Sequence, residues 1–137
     1  MSTRANIEIS YGETKIMLYR HLDGYPAVTG RNICKNLWSA WNPWEKGGKE
    51  VFLSQMINQT DGNKRCYSLT DGIHGDIEYY YKVEFMGDGK IWITITHNNA
   101  VIIDTPDFSK VERFCEEEVN RISKRYQEMT RKEVASA

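Results

Sequence analysis

Between Ile91 and Thr96 the chain alternates without a break: Ile91, Ile93 and Ile95 fall on one side of an extended strand, Trp92, Thr94 and Thr96 on the other. Successive strand side chains point to opposite faces. The pattern therefore demands a sheet with one face in a core and the other wet or against a ligand. The stretch before it, DIEYYYKVEFM (76–86), meets KIWITITH (90–97) across Gly87-Asp88-Gly89, a strong hairpin signal. Tyr79, Tyr81, Val83 and Phe85 share the core-facing side of that strand, and Tyr80, Lys82 and Glu84 the other. Asn98-Asn99 then turns the chain into AVIIDT (100–105).

The remaining segments supply more sheet and the layer that covers it. RANIEISY (4–11) and TKIMLYRH (14–21) form an N-terminal hairpin closed at Gly12-Glu13, with Ile7 and Ile9, then Ile16 and Leu18, each sharing a face. After DGYP, Thr29 caps a helix running to about Trp41, with Val28, Ile33, Leu37, Trp38 and Trp41 as its apolar stripe and Asn42-Pro43 as its stop. WEKGGK (44–49) is a loop, and KEVFLSQMIN (49–58) a short second helix ended by Asp61-Gly62-Asn63. From Ser109 to about Arg131 there is no Gly or Pro, and Ser109-Lys110-Val111-Glu112 fits a capping box, with Asp107 adding negative charge near the helix start. Val111, Phe114, Cys115, Ile122, Tyr126 and Met129 recur at helical spacing, which predicts a long amphipathic helix lying on the sheet. The expected fold is α+β: an antiparallel sheet with an N-terminal hairpin, one or two short helices and a long C-terminal helix, all helices on one side, in a single domain over 1–137.

A length of 137 residues suits one core. Eighteen basic against nineteen acidic residues leave a net charge of −1, which argues against long nucleic acid or an anionic membrane as partner. Cys34, Cys66 and Cys115 are odd in number, far apart and in no CxxC pair. With no leader sequence and no apolar run long enough to span a bilayer, they read as reduced thiols of a cytosolic protein. Their spacing with His21, His74 or His97 does not suit zinc. No cofactor is called for.

Three places carry candidate chemistry. In the final helix Arg121 and Arg125 lie four residues apart on one face, where two guanidiniums can fork onto phosphates. The plainer account is a solvated face with Glu117–Arg121 and Glu128–Lys132 pairs, each worth about 0.3–0.5 kcal/mol. Asn98 and Asn99 at a strand end can use their amide edges on a base or ribose, or simply tolerate a tight turn. Phe85 near a strand end can stack on a purine, an interaction worth about 1–3 kcal/mol, or belong to the core. Arg20, His21, Asp23 and Tyr25 crowd the DGYP turn, either as acid–base machinery, as a ligand cradle or as a rigid turn. No nucleophile elbow, P-loop, GxGxxG or paired-carboxylate motif accompanies them.

STRANI (2–7) followed by YRHLDGYP (19–26) resembles a family of small phage and prophage proteins. Its members open with a similar Ser-Thr-Arg-Ala start and carry an (Arg/Val)-His-x-Asp-Gly-Tyr signature after the first hairpin; the match covers about the first 30 residues. The whole layout also resembles the first Thoeris anti-defence family, phage proteins that sequester a cyclic ADP-ribose-type immune signal without degrading it, in a pocket at a subunit interface. That likeness implies that Arg121 and Arg125 take phosphates, that Asn98 or Asn99 bonds the nucleotide and that Phe85 stacks on it. These positions are placed by element and not by motif. The acidic first half of the final helix and the WSAWNPW insert depart from the family's pattern.

The expectation is a non-enzymatic phage binding protein that sequesters a small phosphorylated nucleotide as a homo-oligomer, dimer or higher. The competing expectation is a protein-directed inhibitor, such as an anti-CRISPR protein, working through Trp38, Trp41 and Trp44. A third is a nucleotide-cleaving enzyme using His21 or His97.

Overall fold

The computed structural model describes residues 3–40, 48–87 and 89–136, with side chains to Lys132. Trp41, the Asn42-Pro43 stop, Trp44 with most of the following loop, and Asp88 lie outside the described residues.

The N-terminal hairpin forms as its turn chemistry requires: β1 (Ala5–Tyr11) and β2 (Thr14–Arg20) pair antiparallel about Gly12, which sits at φ +59. A π-helical turn (Pro26–Gly30) runs straight into α1 (Arg31–Ala40), and α2 (Gly48–Asn58) follows. Asp61-Gly62-Asn63 closes a two-residue-per-strand ribbon, β3 (Thr60–Asp61) with β4 (Lys64–Arg65), before β5 (Ser68–Thr70). The alternating stretches become β6 (Tyr79–Phe85), β7 (Ile91–His97) and β8 (Ala100–Thr105), and α3 spans Phe108–Ser136.

Six strands form one sheet in the order β5-β2-β1-β6-β7-β8. The α+β architecture is the one expected, with one difference in strand direction: β1 and β6 run parallel, from Ala5↔Tyr79 to Tyr11↔Phe85, and the other pairings are antiparallel. The reason is where the helical excursion begins and ends. β2 finishes at Arg20 beside Ala5, and the chain returns through α1 and α2 to that same end of the sheet, where the Glu78 N–H donates to Arg4 O at 2.9 Å. A strand entering there beside β1 must run in β1's direction, and the helices provide the crossover that parallel pairing needs. β5, three residues long and without an apolar alternation, extends the free edge of β2 and was invisible to periodicity.

The core lies between the sheet and the helices. Ile7, Ile9, Leu18, Tyr81, Val83, Ile93 and Ile95 from the strands meet Ile33, Leu37, Phe52, Met56, Val111 and Cys115 from the helices in one buried cluster. α3 packs on it only through its first turns. A seven-residue strand spans roughly 23 Å and a 29-residue helix roughly 43 Å, so the helix overruns the sheet. Ile122, Tyr126 and Met129, expected to pack on the sheet, are exposed at 42%, 72% and 57%. Asp107, not Ser109, caps α3: its Oδ1 accepts the Ser109 N–H at 3.0 Å and the Ser109 hydroxyl at 2.6 Å, which holds its carboxyl below the usual carboxylate range. Among the described residues no helix is long and apolar enough to cross a membrane.

Candidate functional site

The DGYP turn is a structural knot. The Arg20 guanidinium is buried, with Nε donating to Leu22 O at 2.6 Å and Nη1 to the Tyr67 hydroxyl at 2.9 Å, and it stands 5.0 Å from the Tyr67 ring centroid. Asn32 Nδ2 also donates to that hydroxyl, and Thr29 Oγ1 donates to Asp23 O at 2.8 Å. Burial pushes the Tyr67 phenol up despite the opposing pull of Arg20, Asn32 and Thr29. The next joint is Gly24, whose N–H donates to Thr3 O at 2.8 Å while its carbonyl accepts the buried Tyr81 hydroxyl at 2.6 Å. Asp23 takes up φ +59, and burial followed by the neighbouring Asp23 carboxylate raises the half-buried Tyr25 phenol. His21 lies exposed, its ring 6.3 Å from that of Tyr19. Arg20 thus spends its guanidinium on the Leu22 carbonyl and on Tyr67, while the Asp23 carbonyl holds Thr29 and its exposed carboxylate stands beside the Tyr25 phenol. Neither Tyr67 nor Asn32 could be found from sequence spacing, since they join the motif only through the fold.

A second assembly lies at the opposite face of the sheet. Loop 71–78 folds over the wet side of β1 and β2, anchored by the fully buried Asn6: its Oδ1 accepts the His74 N–H at 2.8 Å and its Nδ2 donates to Leu18 O at 3.0 Å. The His74 ring stacks on Tyr19 at 3.8 Å with Nε2 2.9 Å from Thr70 Oγ1, while Asp76 takes Arg4 Nη1 and the Tyr19 hydroxyl. Between this loop and the β7–β8 turn opens a groove of about 540 Å³ lined by His74, Glu78, Tyr80, Thr96, Asn98 and Asn99, among others. Asn98 and Asn99 stand there at φ 49 and 69, exposed, as the two-residue turn between β7 and β8. Tyr80 points its hydroxyl away, donating to Glu8 Oε1 at 2.6 Å, and burial with that carboxylate raises its ionisation well above the ordinary phenol. Glu8 is itself buried on the nominally wet face, with Lys15 at 3.5 Å and Lys82 at 3.8 Å.

The two halves of the expected ligand set part company here. Tyr79 stacks on His97 at 4.3 Å and 5°, His97 Nε2 is 3.3 Å from Asn98 Nδ2, and the charges of Glu118 and Arg121 both act on the Tyr79 phenol. Burial leads in raising the Tyr79 phenol, Glu118 adds to it, and Arg121 opposes it. Arg121 holds Glu118 at 2.7 Å, three residues back, and not the Glu117 that the sequence suggested. Arg125 lies one turn further, about 6 Å along the axis, exposed on the overhanging helix. Phe85 does not join them. It pairs with Ile91 at the far end of β6, roughly 20 Å from Tyr79, buried and tilted against Phe52 at 5.6 Å, so it is a core ring that cannot stack on anything held by Asn98.

Trp38 is 57% exposed, not core. It lies edge-on to Phe108 at 4.7 Å, donates to Glu112, and borders a groove of about 740 Å³ between α1 and α3, where Arg31 pairs with Glu116 at 3.1 Å. Among the described residues no group of three or more His, Cys, Asp or Glu is placed to hold a metal ion. Comparisons with protein-family models, curated proteins and solved structures find no match to this chain.

Proposed function

We propose that the protein binds a small phosphorylated nucleotide at the Asn98–Asn99 end of its sheet and holds it without cleaving it, as a phage anti-defence sponge for a cyclic ADP-ribose-type signal. The observation that carries this reading is the groove of about 540 Å³, a volume suited to a nucleotide-sized ligand, lined by the two exposed asparagines together with Tyr80 and His74. Arg121 acts on Tyr79 from the helix-bearing face of the sheet, opposite to Tyr80, so it would serve a phosphate only if the ligand reached around the Tyr79–His97 stack. The imidazoles nearby are engaged in packing: His74 on Tyr19 and Thr70, His97 on Tyr79.

The test is to incubate the protein with cyclic ADP-ribose isomers and cyclic dinucleotides, denature it and recover the ligand. Intact recovered ligand is the expected result; altered ligand points to an enzyme, and no binding removes the reading. Asn98→Gly with Asn99→Gly keeps the left-handed turn while deleting both amides, and should weaken binding about tenfold or more with an unchanged melting curve.

The exposed Trp38 beside its groove supports a second reading, a protein-directed inhibitor such as an anti-CRISPR protein. A stoichiometric host protein retained by the wild type and lost with Trp38→Ala would favour it over the sponge.

A further inference from the structure

The part of α3 beyond the sheet carries a pattern that its own fold does not use. Cys115, Val119, Ile122, Tyr126 and Met129 follow one another at intervals of four and three, the spacing of a coiled-coil seam, with Val119 and Tyr126 at one core position and Cys115, Ile122 and Met129 at the other. Cys115 is buried in the domain and Val119 is half-buried, whereas every residue from Asn120 to Lys132 is exposed. The seam thus starts inside the domain and runs out of it onto a bare helix. Glu118, Arg125 and Lys132 flank it along one side, at the seven-residue interval that decides pairing and orientation.

We infer that this seam is covered by the same segment of a second copy, running antiparallel about a two-fold axis near Lys124. The register follows from the chain itself. Laid antiparallel about that point, Val119 meets Met129 of the partner copy and Ile122 meets Tyr126, each layer joining one core position to the other. The same register sets Glu118, which holds Arg121 within its own chain, against Lys132 of the partner copy, twice by symmetry. A parallel pair places Ser123 and Thr130 opposite those flanking charges and gains no ion pair. A point-symmetric, self-complementary patch is what a two-fold interface requires. Arg125 comes beside Arg125 of the partner copy at the axis, the one like-charge meeting in the register, with Arg121 one turn away on the same side. The inference stands without the nucleotide reading.

Sedimentation equilibrium of the full chain tests it. The wild type should show a monomer–dimer equilibrium. Ile122→Glu with Tyr126→Glu, both at exposed positions that leave the core untouched, should remain monomeric with unchanged circular dichroism. Glu118→Lys alone should weaken the dimer about tenfold or more, and Glu118→Lys with Lys132→Glu should return it to within about threefold of wild type. A wild type that stays monomeric up to about 1 mM overturns the proposal and assigns the stripe to another protein. An oligomer that survives the Ile122/Tyr126 change overturns it as well, and failure of the charge swap to restore the dimer overturns the antiparallel register. Binding of nucleotide by the monomeric variant separates a failure of this interface from a failure of the ligand site.

Discussion

At the scale of single residues, the signature that looked most like chemistry proves to be architecture. A Cβ added at Gly24 would stand 2.8 Å from Ala5 Cβ and 2.9 Å from Thr3 O, so this glycine is required by the approach of β1 and not by an unusual φ. Gly24→Ala should lower stability by roughly 1–3 kcal/mol, because the neighbour that must yield is strand backbone. Gly72→Ala, where the added carbon meets nothing within 4 Å, is the matched control and should change stability by less than about 1 kcal/mol. Urea titration of the two variants checks the pair. The Arg-His-x-Asp-Gly-Tyr spacing was plain in the sequence, but its partners Tyr67, Asn32 and Tyr81 were not. No local rule links Arg20 to a tyrosine 47 residues later.

Among the elements, strands and the long helix announced themselves by period, while their junctions did not. The three alternating stretches of β6, β7 and the N-terminal hairpin each bury the face that the pattern assigned. The parallel contact of β1 with β6 depends on where a helical excursion ends, which is a property of packing. That contact is locked to the DGYP turn by the Tyr81 hydroxyl on Gly24 O. Tyr81→Phe leaves that buried carbonyl without this donor and should cost about 1–3 kcal/mol. If chemical denaturation shows the variant as stable as wild type, the turn is held by its other contacts alone.

For the molecule as a whole, one core holds two thiols whose ionisation burial opposes. Burial raises the Cys34 thiol strongly and pushes the Cys115 thiol from 9.0 up to about 12. A raised thiol means that the folded chain keeps a proton the unfolded chain releases. Their contribution is therefore complete below about pH 9 and declines as pH climbs toward 12, at about 1.4 kcal/mol per pH unit for each thiol. Melting midpoints should be level from about pH 6 to 8 and fall beyond about pH 9. Cys34→Ala with Cys115→Ala should flatten that slope even where it lowers the midpoint itself. An equal slope in both proteins would assign the alkaline loss to other groups, such as the buried Tyr81 phenol.

What the sequence determined alone is whatever repeats at short range: strand faces, helix seams, glycine turns and the two asparagines with left-handed backbone. Periods of two and of about three and a half residues are local geometry, so they survive without knowledge of the fold. What only the tertiary structure decided is which of those surfaces meet. It sank Phe85 into the core at the end of β6 away from Asn98, and it turned Arg20 inward onto Tyr67. It brought His74 and Tyr80 to the asparagines, and it left Ile122, Tyr126 and Met129 beyond the edge of a sheet too short to cover them. Those outcomes depend on element lengths and on where a crossover returns, and no residue's own neighbours in the chain encode either.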